Sequence, residues 1–379
     1  MELLNLYIRK LIRFSLTFFL VTPAFAGVLP FFSPVYVTSL DNSFYVNTNI
    51  FLTNDLFRLK DLFNGIKTND SHIKNGTNIA LGDTRTDVGY NSKKYGYFGY
   101  VYKEEVLIDT NKDTVELLYL STNKKDLPVG KHYNLDLTIK AFKVQGIEYA
   151  KSFDLYHDNG YIFNVGFGLE ALQGKDMQDG TIKGNGIVNS KKDYSFNIVS
   201  SYDYTHNYLY KLNVKKASAY GYSSDLSLYL KKDGLSLLLL ANDLFGKLYW
   251  RHLPHSDVNL SSHNKVYDAN GYVRYKPTVS GYEGYKNYTQ TLVRKYRAQI
   301  AYMHKRYFFK LGSDAMYGIY MPYIEGDYML TSDFSLGLGY ETRFHSVTLK
   351  SQYGSFVFNI NVDNIFKPST LGLNLSYLF

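Results

Sequence analysis

The chain has 379 residues, with 42 Lys and Arg against 34 Asp and Glu and a formal charge of +8. The charge is spread along the sequence without a compact basic block, so nothing argues for a nucleic-acid partner. There is no cysteine, which excludes disulfides, thiol catalysis and cysteine-held metals.

Tyr and Phe are abundant, 38 and 25, against a single Trp and eight Pro. Such rings suit strands, and Tyr also suits a membrane–water boundary. Residues 1–26 carry Arg9, Lys10 and Arg13, an apolar stretch at 14–21 and then Ala24-Phe25-Ala26. That is the pattern of a secretory signal peptide cut before Gly27. Beyond it no apolar run is long enough for a transmembrane helix, and the mean hydropathy is −0.24. A membrane protein of this polarity has to be a closed barrel, because only helices and barrels satisfy every backbone group in lipid.

After an apolar, proline-containing start, residues 44–52 form a possible strand. Thr53-Asn54-Asp55 then read as a cap before Leu56, Leu59, Leu62 and Phe63, which share one helical face. A barrel does not need this helix. It is expected at the periplasmic mouth, with residues 27–77 entering the lumen and narrowing it. Strands with polar turns are expected from 78 onward, including 78–90, 95–108, 114–121, 131–142, 161–172, 194–204, 208–217 and 220–230. Residues 174–186 and 254–270 read as long loops, 287–311 as long strand, and 333–341, 346–353 and 355–361 as tight hairpin elements. The domain reading is a signal at 1–26, an N-terminal segment at 27–77 and a barrel at 78–379. At roughly 20 residues per strand and connection, the barrel portion gives about 16 antiparallel strands, with 14 next.

The last stretch alternates. Leu371, Leu373, Leu375, Tyr377 and Phe379 share one face, and Gly372, Asn374 and Ser376 share the other. One face therefore meets an apolar medium and the other a polar one. This stretch resembles the terminal strand of bacterial outer-membrane β-barrels. The resemblance implies that Tyr377 and Phe379 form the signal read by the barrel-assembly machinery. A motif of strand, two Asn/Asp, then Leu/Ile-Phe recurs at 51–57, 239–245 and 360–366. It reads as a strand-end device built on Asx turns. Its third copy, with 367–370, resembles the final hairpin of TonB-dependent receptors, but the chain has no room for their large plug and wide barrel.

Asp83, Arg85 and Asp87 alternate along one strand. Three charges on one face cannot lie in lipid, so that face should line the lumen, as a binding site or as a bracing network. Glu104 and Glu105 are expected nearby. Lys140, Lys211, Lys215 and Lys350 also fall on expected inner faces and suggest a pore wall of positive character. Ser261 and His263 lack an obvious third member for acyl chemistry. The nine histidines show no metal-ligand spacing, and no cofactor motif is present. The expectation is an all-β outer-membrane channel that passes an unidentified solute or polymer, embedded in lipid and lipopolysaccharide. The alternatives are a partner-binding surface protein and, behind it, an outer-membrane enzyme.

Overall fold

The computed structural model describes residues 29–38, 42–56, 59, 74–191, 193–206, 214–262, 265–270, 272–275 and 278–378. A short helix α1 (Pro34–Thr38) precedes β1 (Ser43–Asn54), β2 (Thr77–Ser92) and β3 (Gly96–Asn111). Helix α2 (Lys112–Thr122) leads to β4 (His132–Asp158), β5 (Tyr161–Ser190), β6 (Asp193–Tyr204), β7 (Ser218–Lys232), β8 (Leu235–Asn242) and β9 (Lys247–Ser261). Next come β10 (Lys265–Tyr267), β11 (Val273–Tyr275), β12 (Thr278–Thr291), β13 (Lys295–His304) and β14 (Tyr307–Met316). The chain finishes with β15 (Ile319–Met329), β16 (Phe334–Glu341), β17 (Ser346–Tyr353), β18 (Phe356–Val362) and β19 (Thr370–Leu378).

Among the described residues, 17 strands join one sheet, and β10 pairs β11 apart from it. Every pairing is antiparallel, and β1 lies between β19 and β2, so the sheet closes on itself. The shortest closed circuit runs through β1–β5, β7, β8 and β13–β19, fourteen strands in all. Strand β6 pairs onto the far part of β5, β9 onto β6 and the far part of β7, and β12 onto β9, and together they extend the wall beyond the ring. The closed antiparallel barrel of about 16 strands expected from the sequence is thus the fold.

Two ends are distinguishable. Short turns at 93–95, 159–160, 233–234, 305–306 and 354–355 lie at the end where β19 finishes. The other end carries the connection after β1, helix α2 and the protruding parts of β4, β5, β6, β9 and β12.

The outer wall explains the closure. In β14 through β19 most residues at outward parity are large and apolar, and Leu311, Ile324, Leu338 and Leu349 are all more than half exposed. Cross-strand register extends this belt from Leu338 to Leu349, Ile360 and Leu373. Tyr307, Tyr328, Tyr353, Phe356 and Tyr377 ring the short-turn end. An apolar band with an aromatic girdle is what a barrel presents to lipid. Strands β13–β19, of 7 to 11 residues, match the ~10 needed to cross.

Several sequence expectations are corrected. The barrel starts at Ser43, not at 78, because β1 is the strand that closes the seam. Residues 112–122 form helix α2 rather than a strand. Asn111 caps it by accepting the Thr114 N–H, and Val115, Leu117 and Leu118 pack onto the protruding sheet. Residues 174–186 are not a loop but the middle of the 30-residue β5. Strand β9 continues to Ser261, into the expected external loop. The 287–311 stretch is divided by turns into β12, β13 and β14.

The expected helix at 54–63 falls mostly outside the described residues. Its described members follow β1 and so lie at the far end, where the Leu59 N–H bonds the Pro368 carbonyl. The expected signal peptide, most of the expected strand at 208–217, His263 and Phe379 lie outside the described residues, and the described part of that strand, 214–217, is a connection rather than a strand.

A candidate site in the barrel lumen

The alternation that turns Val88 and Tyr90 outward on β2, and Phe98 and Tyr100 outward on β3, turns Asp83, Arg85, Asp87, Lys103 and Glu105 inward, where all five are fully buried. Strands β4, β5 and β7 add Glu148, Glu170 and Asp225, and the turn after β8 adds Asp243. Arg85 is the hub. Its guanidinium bonds Asp87 at 2.8 Å, Glu148 at 3.0 Å, Glu170 at 3.1 Å and Asp225 at 3.3 Å. Lys103 joins Glu170 and Asp243 at 2.6 and 2.8 Å. Lys295, on β13, joins Asp83 and Glu105 at 3.1 and 2.8 Å.

Buried charges persist only when paired and hydrogen-bonded. This layer pairs its charges across the lumen from several strands and a turn, while Glu105 Oε2, Glu148 Oε1, Glu170 Oε1 and Asp243 Oδ2 accept no hydrogen bond from the described residues. Glu148, Glu170 and Asp225 bring carboxylate oxygens within 4.8 Å of one another, and Arg85 bonds all three. Their grouping is therefore an ion-paired cluster.

Above the charges, at the protruding end, Phe51, Leu81, Leu107, Met316, Met321 and Phe344 close the lumen with apolar side chains. Phe344 turns in from the β16–β17 connection to lie 6.3 Å from the Phe51 ring.

Residues 29–38 run inside the ring. Wall side chains hold their backbone as a neighbouring strand would. The Leu29 N–H donates to Asp314 at 3.1 Å, and Arg297 donates to the Leu29 carbonyl at 3.2 Å. Arg297 and Asp314 are themselves paired at 2.6 Å. Asn242 does both jobs at Phe32, accepting its N–H and donating to its carbonyl, each at 3.0 Å. The Val35 N–H donates to the Ser227 hydroxyl at 3.1 Å.

The rings are seated too, with Phe32 4.9 Å under the Arg85 guanidinium and Phe31 4.5 Å from that of Arg297. Gly166 makes the fit of α1 possible, since a Cβ there would meet Pro34 Cβ and Val35 N at 2.8 Å.

Between this segment and the wall of β13–β19 and β1, the described residues leave a cavity of about 510 Å³ lined by Asn47, Asn49, Gln299, Asn359, Asn374 and Lys310, among others. A second cavity of about 450 Å³ continues from Lys310 past Asp327 and Lys350 to the turns at 331–334 and Gly354. Four charges meet where the two join. Lys310 bonds Glu325 at 2.5 Å and Asp327 at 2.9 Å, and Lys350 bonds the same pair at 3.1 and 3.3 Å. Gly337 leaves the room, because a Cβ there would overlap Asp327 Oδ1.

The sequence-derived candidates separate. Asp83, Arg85 and Asp87 are inward and central, and Glu105 joins them. Glu104 turns the other way, to Tyr102 and Lys143. Lys350 is in the four-charge ring. Lys140 is exposed and pairs in register with Asp179 on the protruding sheet, outside the ring. Lys215 is exposed in the 214–217 connection, where its N–H meets the Tyr285 hydroxyl. Lys211 lies outside the described residues. Tyr377 faces outward opposite Val46.

The repeated motif is an Asx turn in its first and third copies, where Asn54 accepts the Leu56 N–H and Asn364 the Phe366 N–H. Its second copy is different: Asn242 holds Phe32 and Asp243 joins the charge layer. Sequence reasoning did not find Lys103, Glu148, Glu170, Asp225, Asp243 and Lys295. Their signal in the sequence is slight: Glu148, Glu170 and Asp225 are single charges at inward parity among small and apolar residues, and Asp243 follows a strand.

A closed antiparallel ring with an apolar outer belt and a charged, partly filled interior defines the class: a transmembrane β-barrel. No protein-family model and no curated protein sequence matches the chain. Among solved structures it is similar to a TodX deltaS2S3 mutant monoaromatic hydrocarbon channel, at 11% identity over 91% of this chain and 92% of that one, with a TM-score of 0.46. A TodX deltaS2 mutant gives 9%, 91% of each chain and 0.39. The outer membrane protein opdK from Pseudomonas aeruginosa gives 10%, 93% and 100%, and 0.16.

Proposed function

We propose that this protein is an outer-membrane channel through which a small solute crosses, with residues 29–38 as a plug inside the barrel. The observation that carries the reading is the lumen itself. It is narrowed by a segment held through side chains rather than by strand pairing, and water-sized space remains beside it. A barrel built only to brace the membrane gains nothing from polar cavities of this size. The partners that follow are the bilayer and lipopolysaccharide around the belt, and the assembly machinery that reads the terminal strand.

Planar-bilayer recording tests this. Deleting Leu29–Thr38 removes the plug but no barrel strand, and single-channel conductance is expected to rise severalfold over the full chain. A folded, heat-modifiable barrel that passes no current with or without these residues would falsify the channel reading.

A further inference from the structure

The two polar cavities share Lys310, and their far end lies at the turns 331–334 and Gly354. The inner cavity ends against Leu29, Phe31, Leu238 and Leu240, beneath the apolar and charged layers. Its walls are amides, hydroxyls and paired charges, with Asn374 bonded to Asn47 and Asn359 to Asn374. The ring of Lys310, Glu325, Asp327 and Lys350 carries two charges of each sign, and its side chains are 10–19% exposed. It is therefore wetted, unlike the charge layer above it.

We propose that the two cavities are one water-filled vestibule open at the short-turn end, and that the four-charge ring is its filter. A net-neutral ring with ammonium and carboxylate groups side by side offers a hydrogen-bonding partner to either end of a small polar or zwitterionic solute. It raises no single-sign field against ions of either charge. A strongly anionic or cationic substrate would be served by a ring of one sign. Its use in transport rests on the channel reading, but the vestibule and its filter can be tested without any current.

The chain has no cysteine, so one introduced at Asn359, inside the ring, is a unique probe in the full-length folded barrel. Cationic and anionic methanethiosulfonate reagents are expected to modify Asn359→Cys at similar rates. With Lys310→Gln and Lys350→Gln, the cationic reagent is expected to gain about tenfold over the anionic one. With Glu325→Gln and Asp327→Asn the preference should invert. In a separate variant, Ser223→Cys, the thiol lies in the dry layer and should stay unmodified. Failure of both reagents to reach the thiol of Asn359→Cys, or rate ratios indifferent to both ring variants, overturns the proposal. Those outcomes leave the conductance result untouched, whereas a channel without current leaves the vestibule standing.

Discussion

The barrel has two unlike halves. From β2 to β8 the strands are mostly long, up to 30 residues, and their inner face carries fully buried charges that bond one another. From β13 to β19 the strands are 7 to 11 residues, and most of their inner polar groups meet open space. Both halves obey the same alternation. What differs is whether the lumen beside them is filled. A filled lumen makes every charge depend on its partners, and a wet one lets water replace a lost partner. The first half is built to be rigid, and the second leaves room for a solute.

Breaking the dry half should cost most. Arg85→Met removes the shared cation of four carboxylates in a buried layer. A urea folding titration in detergent is expected to show a loss of about 3–5 kcal/mol, the usual cost of leaving buried partners unpaired. The outer belt comes next. Leu373→Arg should cost about 2–4 kcal/mol near the bilayer midplane, while Asn374→Arg, one residue on and facing the 510 Å³ cavity, should cost clearly less. Equal losses would mean that the inner and outer faces are exchanged. The smallest effect belongs to the wet ring. Lys350→Gln should change stability by about 0–1 kcal/mol, as for a solvated ion pair. A loss as large as that of Arg85→Met would erase the distinction between the halves.

The short-strand half is legible in the sequence because its two faces meet different media. Leu371, Leu373 and Leu375 face lipid and Asn374 and Ser376 face the lumen, as the alternation implies. The dry half is less legible. Asp83, Arg85 and Asp87 stand out as three charges on one face, but their partners lie far along the chain: Glu148 is 63 residues from Arg85, and Lys295 is 212 from Asp83. No local pattern links groups that only barrel closure brings together. Helix α2 reads as a strand because Val115, Leu117 and Tyr119 alternate; the Asn111 cap and the 115–118 spacing are the better signals. The sequence pattern expects residues 27–77 to enter the lumen around a helix at 54–63, and the described part of that segment inside the ring is 29–38. The apolar stretch with Phe31, Phe32 and Pro34 fills the lumen, whereas Asp55, Leu56 and Leu59, the described residues just after β1, lie at the opposite end.

The seam between β1 and β19 pairs Tyr45 with Leu378 and Thr53 with Thr370. From β13 to β19 the successive neighbours are hairpins that can zip as soon as both arms exist. The seam must instead bring together segments separated by almost the whole chain, at a loop-closure cost no local turn relieves. Closing is therefore the slow, late event of assembly, and until then β1 and β19 are two open edges able to pair with other chains. The hydrogen bonds of Asn374 and Ser376 to Asn47 form only once the edges meet, so they stabilise the finished ring against reopening more than they speed its closure.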